Sequence, residues 1–359
     1  SDPHQMKDMD RLVEILAQKI RKQAHIRIIG DYDVDGVTSS HLFLTALRRV
    51  GAKVDVVIPH RIQDGYGLSL HLLQQAKEDG VDTILTCDNG IAAIDEIAWA
   101  KAQKMTVLVT DHHAVPFEEH EGRRTEKKSL ADAVVNPHQQ DCGYPYKELC
   151  GAGVAWNVIR VLYENYDMDK REAEDLLDFV AMATVCDVMS LTGENRILVK
   201  EGLKRIRHTK NIGLQALMQA CNVQPENISA YHFGYVLGPC VNATGRLDTA
   251  RHALRLFETG QETEAEEIAR DLVDLNQERK ELTLQGVEMA KKLCEEGGYE
   301  NDPVLVLFLP DVHESIAGLI AGRIREMYNR PVFVLTRGEE GVKGSGRSTE
   351  NYSMYENMC

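Results

Sequence analysis

A chain of 359 residues with 43% hydrophobic content holds enough apolar side chains for more than one core, so two domains are expected. No apolar run reaches the roughly 20 residues of a membrane span, and Ser1-Asp2-Pro3-His4 opens no basic-then-apolar leader, which sets membrane and export functions aside and makes the cytoplasm the expected compartment. Eight cysteines without a CxxC pair argue against a zinc ribbon and a disulfide framework, and a formal charge of −15 leaves nucleic-acid binding open only through a local basic groove.

Met9, Leu12, Val13, Leu16 and Ile20 recur at helical spacing, which predicts an amphipathic helix running up to Ala24. Ile26-Arg27-Ile28-Ile29 reads as the first strand and His41 to Leu47 as a helix. Gly30 to Ser40 is therefore a strand-to-helix turn, the place where an open α/β sheet presents its ligand site. This turn carries Asp31, Asp33 and Asp35 at alternate positions. Carboxylates so close repel one another and call for a cation, and hard oxygen ligands suit Mg²⁺ or Mn²⁺. An Asp-rich surface turn would use the same residues. An EF-hand would not, because no bidentate Glu follows at the required distance and the flanks are strand and helix. The hydroxyls after Gly36, Ser39 among them, stand at a helix start and can hold a phosphate.

Val54 to Ile58 reads as the second strand, ending in the turn-rich loop Pro59 to Gly67 with Arg61 and Tyr66. A helix near Leu70 to Asp79 leads to the strand Thr83 to Cys87, which runs into Asp88-Asn89-Gly90. A helix through Ile94, Ile97 and Ala98 leads to Val107 to Thr110, and then to Asp111-His112-His113. Doubly wound topology gathers successive strand ends, so these three polar clusters are expected to meet.

Glu118 to Lys128 reads as an exposed charged loop and Val134 to Pro137 as a short strand. The chain turns helical from Gly151 and through Glu172 to Ala183, then reaches Asp187. Asn242 to Arg246 reads as a small-residue turn that offers one guanidinium. Glu262 to Glu296 is one long charged helical pattern, a solvated connection between two domains. Val304 to Phe308, Ile316 to Tyr328 and Pro331 to Leu335 form a second α/β unit. Gly344-Ser345-Gly346-Arg347-Ser348 then reads as a glycine-rich turn suited to cradling a phosphate.

Taken in order, Asp31-Tyr32-Asp33-Val34-Asp35-Gly36, Asp88-Asn89-Gly90, Asp111-His112-His113 and Asp187 resemble the motifs of the DHH phosphoesterase superfamily, and within it the bacterial single-stranded-DNA-specific exonucleases. Pro59-His60-Arg61, Asp64-Gly65-Tyr66-Gly67, Gly151 to Ala155, Asn242 to Arg246 and Gly344 to Ser348 extend the likeness over nearly the whole chain. His313-Glu314-Ser315 stands where many relatives have His-Glu-Gly. The resemblance implies an α/β protein with a parallel-sheet DHH domain over 1–258, a long connecting helix over 259–298 and a smaller α/β DHHA1 domain over 299–359. That second domain is expected to be incomplete at Cys359, and the OB-fold domain of such relatives is absent from these residues.

The same resemblance implies a two-metal site with Asp33, Asp35, Asp88, His112 and Asp187 as ligands, Asp88 bridging and Asp31 a supporting acid. The imidazole in this set favours Mn²⁺ over Mg²⁺. His113, with Asp111 beside it, would steady the phosphate oxygens or protonate the leaving 3′-oxygen. Arg61, Arg246, Ser345, Gly346, Arg347 and Ser348 would hold a terminal phosphate, and Tyr66 would stack on a base. The implied activity is 5′→3′ hydrolysis of single-stranded DNA to mononucleotides in repair and recombination, by a monomer working with a single-strand-binding protein and a helicase. A nanoRNA or cyclic-dinucleotide phosphodiesterase, a manganese pyrophosphatase and a non-catalytic Cdc45-like scaffold are the alternatives.

Overall fold

The computed structural model describes residues 1–359 apart from 62–63, 66, 121–122, 248, 300–301, 339–340, 355–356 and 358–359. The chain divides into two compact units, Ser1–Val273 and Asp274–Cys359. The first unit begins with α1 (Met9–Arg21), β1 (Ile26–Ile29), α2 (Val34–Arg49), β2 (Val54–Val57), α3 (Leu70–Glu78), β3 (Thr83–Cys87), α4 (Ile94–Ala102) and β4 (Thr106–Thr110). A hairpin, β5 (Phe117–His120) and β6 (Arg123–Glu126), precedes β7 (Ala133–Val135).

Strands β2-β1-β3-β4-β7 form one parallel sheet in that order. β1 and β3 are buried along their whole length, as a sheet covered on both faces requires. Because the order reverses between β1 and β3, the carboxyl ends of these two strands open the crevice in which doubly wound sheets bind ligands. Asp31 follows β1 and Asp88 follows β3.

Helices then dominate: α5 (Gly151–Asn165), α6 (Lys170–Glu174), α7 (Leu177–Cys186), α8 (Gly193–Arg205), α9 (Ile212–Ala220) and α10 (Ala230–His232). A π-turn at Phe233–Leu237 leads into α11 (Gly238–Leu247), followed by α12 (Ala250–Glu258). The main core joins α1, α2, α5 and α7 through fully buried residues such as Leu12, Phe43, Val158 and Val180. The 36-residue helix α13 (Glu262–Gly297) contains the division between the units.

In the second unit β8 (Leu305–Phe308), α14 (Glu314–Tyr328), β9 (Val332–Gly338) and β10 (Gly341–Arg347) make a three-stranded sheet, β8 parallel and β10 antiparallel to the central β9. Ile316, Ile320 and Ile324 of α14 close its core with Leu305, Leu307, Val332 and Val334.

Three local expectations are corrected. The charged segment 118–128 is largely a hairpin rather than a loop, because its charges pair across strands: Glu119 faces Arg124, and Lys127 lies 3.2 Å from Glu118. Asn242 to Arg246 is helical, and its small residues allow close packing rather than a turn. Gly344, Ser345, Gly346 and Arg347 lie on the edge strand β10, where the missing side chains of Gly344 and Gly346 leave room for Leu335 and Phe333.

Candidate metal centre

The acidic turn after β1 is folded tightly. Asp33 caps α2 by accepting from the Gly36 amide at 3.0 Å. A Cβ at Gly36 would stand 2.5 Å from the Asp31 carbonyl oxygen, so only glycine lets α2 start this close to the turn. Asn242 of α11 accepts from the Val34 amide at 3.0 Å and ties the turn to the helical layer.

Asp35 is held from across the crevice. Its Oδ2 accepts from the Gly151 amide at 2.6 Å and its Oδ1 from Ala152 at 2.8 Å, which satisfies the free N–H groups at the start of α5. At the end of β3, Asp88 adopts a left-handed backbone, φ 61°, and Gly90 follows at φ 108°. Non-glycine residues in this region carry strain that tends to gather at functional sites. Asn89 holds the bend, its Nδ2 donating to the carbonyls of Ile29, Gly30 and Cys87 at 2.9–3.1 Å and so stitching the ends of β1 and β3 together. Asp187 caps the C-terminus of α7, and the next residue, Val188, is left-handed and 88% exposed.

His112 brings these acids together. Its Nε2 lies 3.1 Å from Asp88 Oδ1, 3.6 Å from Asp187 Oδ2 and 3.7 Å from Asp35 Oδ2. None of these approaches is aligned as a hydrogen bond: His112 Nε2, Asp88 Oδ1 and both oxygens of Asp31 are buried without a hydrogen-bond partner. Donor atoms that converge without bonding one another fit a cation between them. Three sets of donors each lie within 4.8 Å of one another: Asp35, His112 and Asp187; Asp31, Asp33 and Asp88; Asp88, His112 and His113. Asp88 and His112 link them.

Electrostatics point the same way. Burial first, and then the Asp33 charge, pushes the Asp31 carboxyl up to about 8; burial followed by Asp35 and Asp33 does the same to Asp187, also to about 8. Burial, then Asp35, raises Asp88 well above the carboxylate range, and Asp33 is raised for the same two reasons. A divalent cation reverses this logic by turning the repulsion into attraction, so the ionised site and the bound metal stabilise each other.

His113 is built differently. Its Nδ1 lies 2.7 Å from Asp111 Oδ1, an oxygen that also accepts from the amides of His112 and His113, while Asp111 Oδ2 accepts from Ile91 at 2.9 Å. Burial disfavours the imidazolium, but the hydrogen bond and charge of Asp111, with Asp187 and Asp35, push His113 up to about 9. Asp111 is itself held below the usual range: burial opposes this, and the His113 partnership outweighs it. The side chain of His113 is 43% exposed, so its ring is open to solvent.

Among the expected substrate contacts, Arg61 lies 5.0 Å over the ring of Tyr32, and the charges of Arg61 and Arg246 both act on the Tyr32 hydroxyl. Ser39 is fully buried in α2 with its Oγ unpartnered, so it offers no surface to a phosphate. Tyr66 lies outside the described residues. In the second unit Ser345 pairs with Val334 across β10 and β9, and Ser348 donates to the Tyr352 carbonyl. There the Arg347 guanidinium packs over Gly318 of α14, where a Cβ would stand 2.9 Å from Nη2, and Nη1 donates to the Gly346 carbonyl at 2.7 Å. Sequence reasoning gave no role to Gly151, Ala152 or Asn89, which position Asp35 and the strand ends. The available signal was the small-residue start of a helix, Gly151-Ala152-Gly153.

Residues 25–184 match the DHH family, N-terminal domain. The chain is 37% identical to the single-stranded-DNA-specific exonuclease RecJ of Haemophilus influenzae over 98% of its own length and 62% of that protein's. It thus spans about three-fifths of this curated relative. Among solved structures it is similar to an exonuclease RecJ bound to manganese, with a TM-score of 0.83 and 32% identity over 98% of this chain and 85% of that one. The Mn²⁺ complex of RecJ from Thermus thermophilus gives 0.82 and 31%, over 98% and 49%.

Proposed function

The chain belongs to the RecJ branch of the DHH family, and from that premise we propose that it is a divalent-metal-dependent nuclease that removes nucleotides from the 5′ end of single-stranded DNA. The observation that carries this reading is the convergence of unpartnered donor atoms joined through Asp88 and His112 at the β1/β3 crevice. Asp33, Asp35, Asp88, His112 and Asp187 would hold two ions, with Asp31 completing the second donor set. The mixed imidazole and carboxylate donors favour Mn²⁺ and also admit Mg²⁺. When bound, such ions supply a water of lowered pKa and neutralise charge on the phosphate.

This chain's own residues do the rest. Asp111 fixes the His113 ring by its Nδ1, which leaves the other ring nitrogen to deliver a proton to the leaving 3′-oxygen. Arg61 and Arg246, beside Tyr32, take a terminal phosphate by charge-assisted hydrogen bonds. Tyr66 stacks on a base, and Ser345, Gly346, Arg347 and Ser348 give the strand's backbone further contacts. The same reading makes the protein a cytoplasmic monomer in DNA repair and recombination, with a single-strand-binding protein and a helicase presenting its substrate. Among the described residues no helix is long and apolar enough to cross a membrane.

Digestion in Mn²⁺ of single strands labelled at either end, with duplex and dinucleotide controls, tests the proposal. Mononucleotides released first from a 5′-phosphorylated single strand are expected. Release from the 3′ end, or a preference for dinucleotides, would make the protein a short-oligonucleotide phosphodiesterase.

A further inference from the structure

Helices α2 and α7 each carry a residue of the acidic cluster at one end, Asp35 in the first turn of α2 and Asp187 at the close of α7. Their other ends, at Thr45 and Arg48 of α2 and at Leu176 and Asp178 of α7, border a cavity of about 810 Å³ that the chemistry above does not use. Its volume lies within the range of sites for small organic ligands, roughly 300–1,000 Å³.

Among the residues that line the cavity, two hold a buried polar atom without a hydrogen-bond partner. His41, 5% exposed, packs its ring against Phe179 and Phe257, with centroids 4.5 and 5.7 Å away, and its Nδ1 is buried without a hydrogen-bond partner. Glu258 Oε1, from α12, is buried and unpartnered as well. Two orphaned polar atoms in one cavity cost stability until something bonds them. At the rim, Arg48, His208 and Lys210 make no ion pair among the described residues, whereas the neighbouring Lys204 and Arg205 are held by Glu201, Glu174 and Asp175.

The surroundings ask for a ligand with two unlike ends. Arg48 and Lys210 at the rim suit a phosphate, which accepts charge-assisted hydrogen bonds. The interior offers a carboxylate oxygen for an amino or hydroxyl donor, an imidazole nitrogen for a second hydrogen bond, and aromatic edges for an apolar ring. We propose that this cavity is a binding site for a nucleoside monophosphate, separate from the metal centre. Such a ligand would touch the far ends of both helices that carry the acidic cluster.

Calorimetry on the full chain with 2′-deoxyadenosine 5′-phosphate tests this, in EDTA so that the metal centre takes no part and again in Mn²⁺. A saturable site that persists in Arg61→Ala, which removes the terminal-phosphate contact proposed above, is expected under both conditions, about tenfold or more tighter than inorganic phosphate or deoxyadenosine alone, because each of these engages one end only. Lys210→Glu and Arg48→Gln change exposed rim residues, so both should fold, with circular dichroism as the control. Each should weaken the nucleotide by about tenfold or more. No saturable binding at millimolar nucleotide, wild-type affinity in both variants, or binding of an acidic peptide in preference to the nucleotide would each overturn the assignment.

Discussion

The Asp88 carboxylate rests against the α-carbon of Gly151, where an added Cβ would stand 2.7 Å from both Asp88 Cβ and Asp88 Oδ1. The Gly151 amide at the same time donates to Asp35 at 2.6 Å. One glycine therefore sets the separation of two acids that come from different strand ends.

Gly151→Ala is expected to push Asp88 out of the cluster while keeping the helix, since alanine is the best helix former. Manganese affinity should fall by about 10–100-fold, the usual scale for losing the groups that position metal ligands. Titration calorimetry with circular dichroism as a folding control checks this, and unchanged affinity in a folded variant would contradict it.

Asp111 and His113 form a separate hydrogen-bonded unit, to which the proposed mechanism gives the proton transfer. His113→Ala should lower the single-turnover rate by about 10²–10⁴-fold and leave manganese binding intact. Asp111→Asn, which removes the anion that keeps the ring protonated, should follow it in the same direction. Because His113 also lies within reach of Asp88 and His112, loss of a bound ion in His113→Ala would make it a ligand instead.

His41 predicts an acid limb of stability. Burial, and then Arg48, holds its folded value at about 3, against 6.5 for the unfolded chain. Between these values the unfolded chain binds a proton that the folded chain refuses. Its contribution is thus full above pH 6.5 and is lost as pH falls toward 3, by about 1.4 kcal/mol per pH unit. Asp178, raised by burial to about 6 although Thr209 donates to it, works in the opposite direction between 6 and 3.8. Comparing wild type with His41→Leu cancels that term. In urea titrations from about pH 7 to about pH 4 the variant should gain stability relative to the wild type as pH falls, and parallel profiles would rule the buried neutral imidazole out.

The strand ends were legible because β-rich runs stop abruptly at acids: Thr83 to Cys87 before Asp88, and Val107 to Thr110 before Asp111. Elements without a buried face were not. The hairpin at Phe117–Glu126 shows no apolar alternation, since Glu119 opposite Arg124 and Phe117 under the Arg124 guanidinium organise it by charge. Close approach was equally hidden. Gly245 reads as a turn residue, yet it serves a helix packed so near the acidic turn that a Cβ would stand 2.4 Å from the Tyr32 carbonyl oxygen. Asp35 and Gly151 are 116 residues apart, and no local pattern could announce their hydrogen bond.

Asp88 is proposed to join two cation sites, and counting bound ions tests this most directly. Native mass spectrometry and calorimetry in Mn²⁺ should find two ions per wild-type chain. Asp88→Asn should hold at most one and cleave no DNA. In EDTA it should melt above the wild type, because one of several mutually repelling carboxylates is gone. A single ion in the wild type, or two ions and wild-type cleavage in Asp88→Asn, would contradict the account.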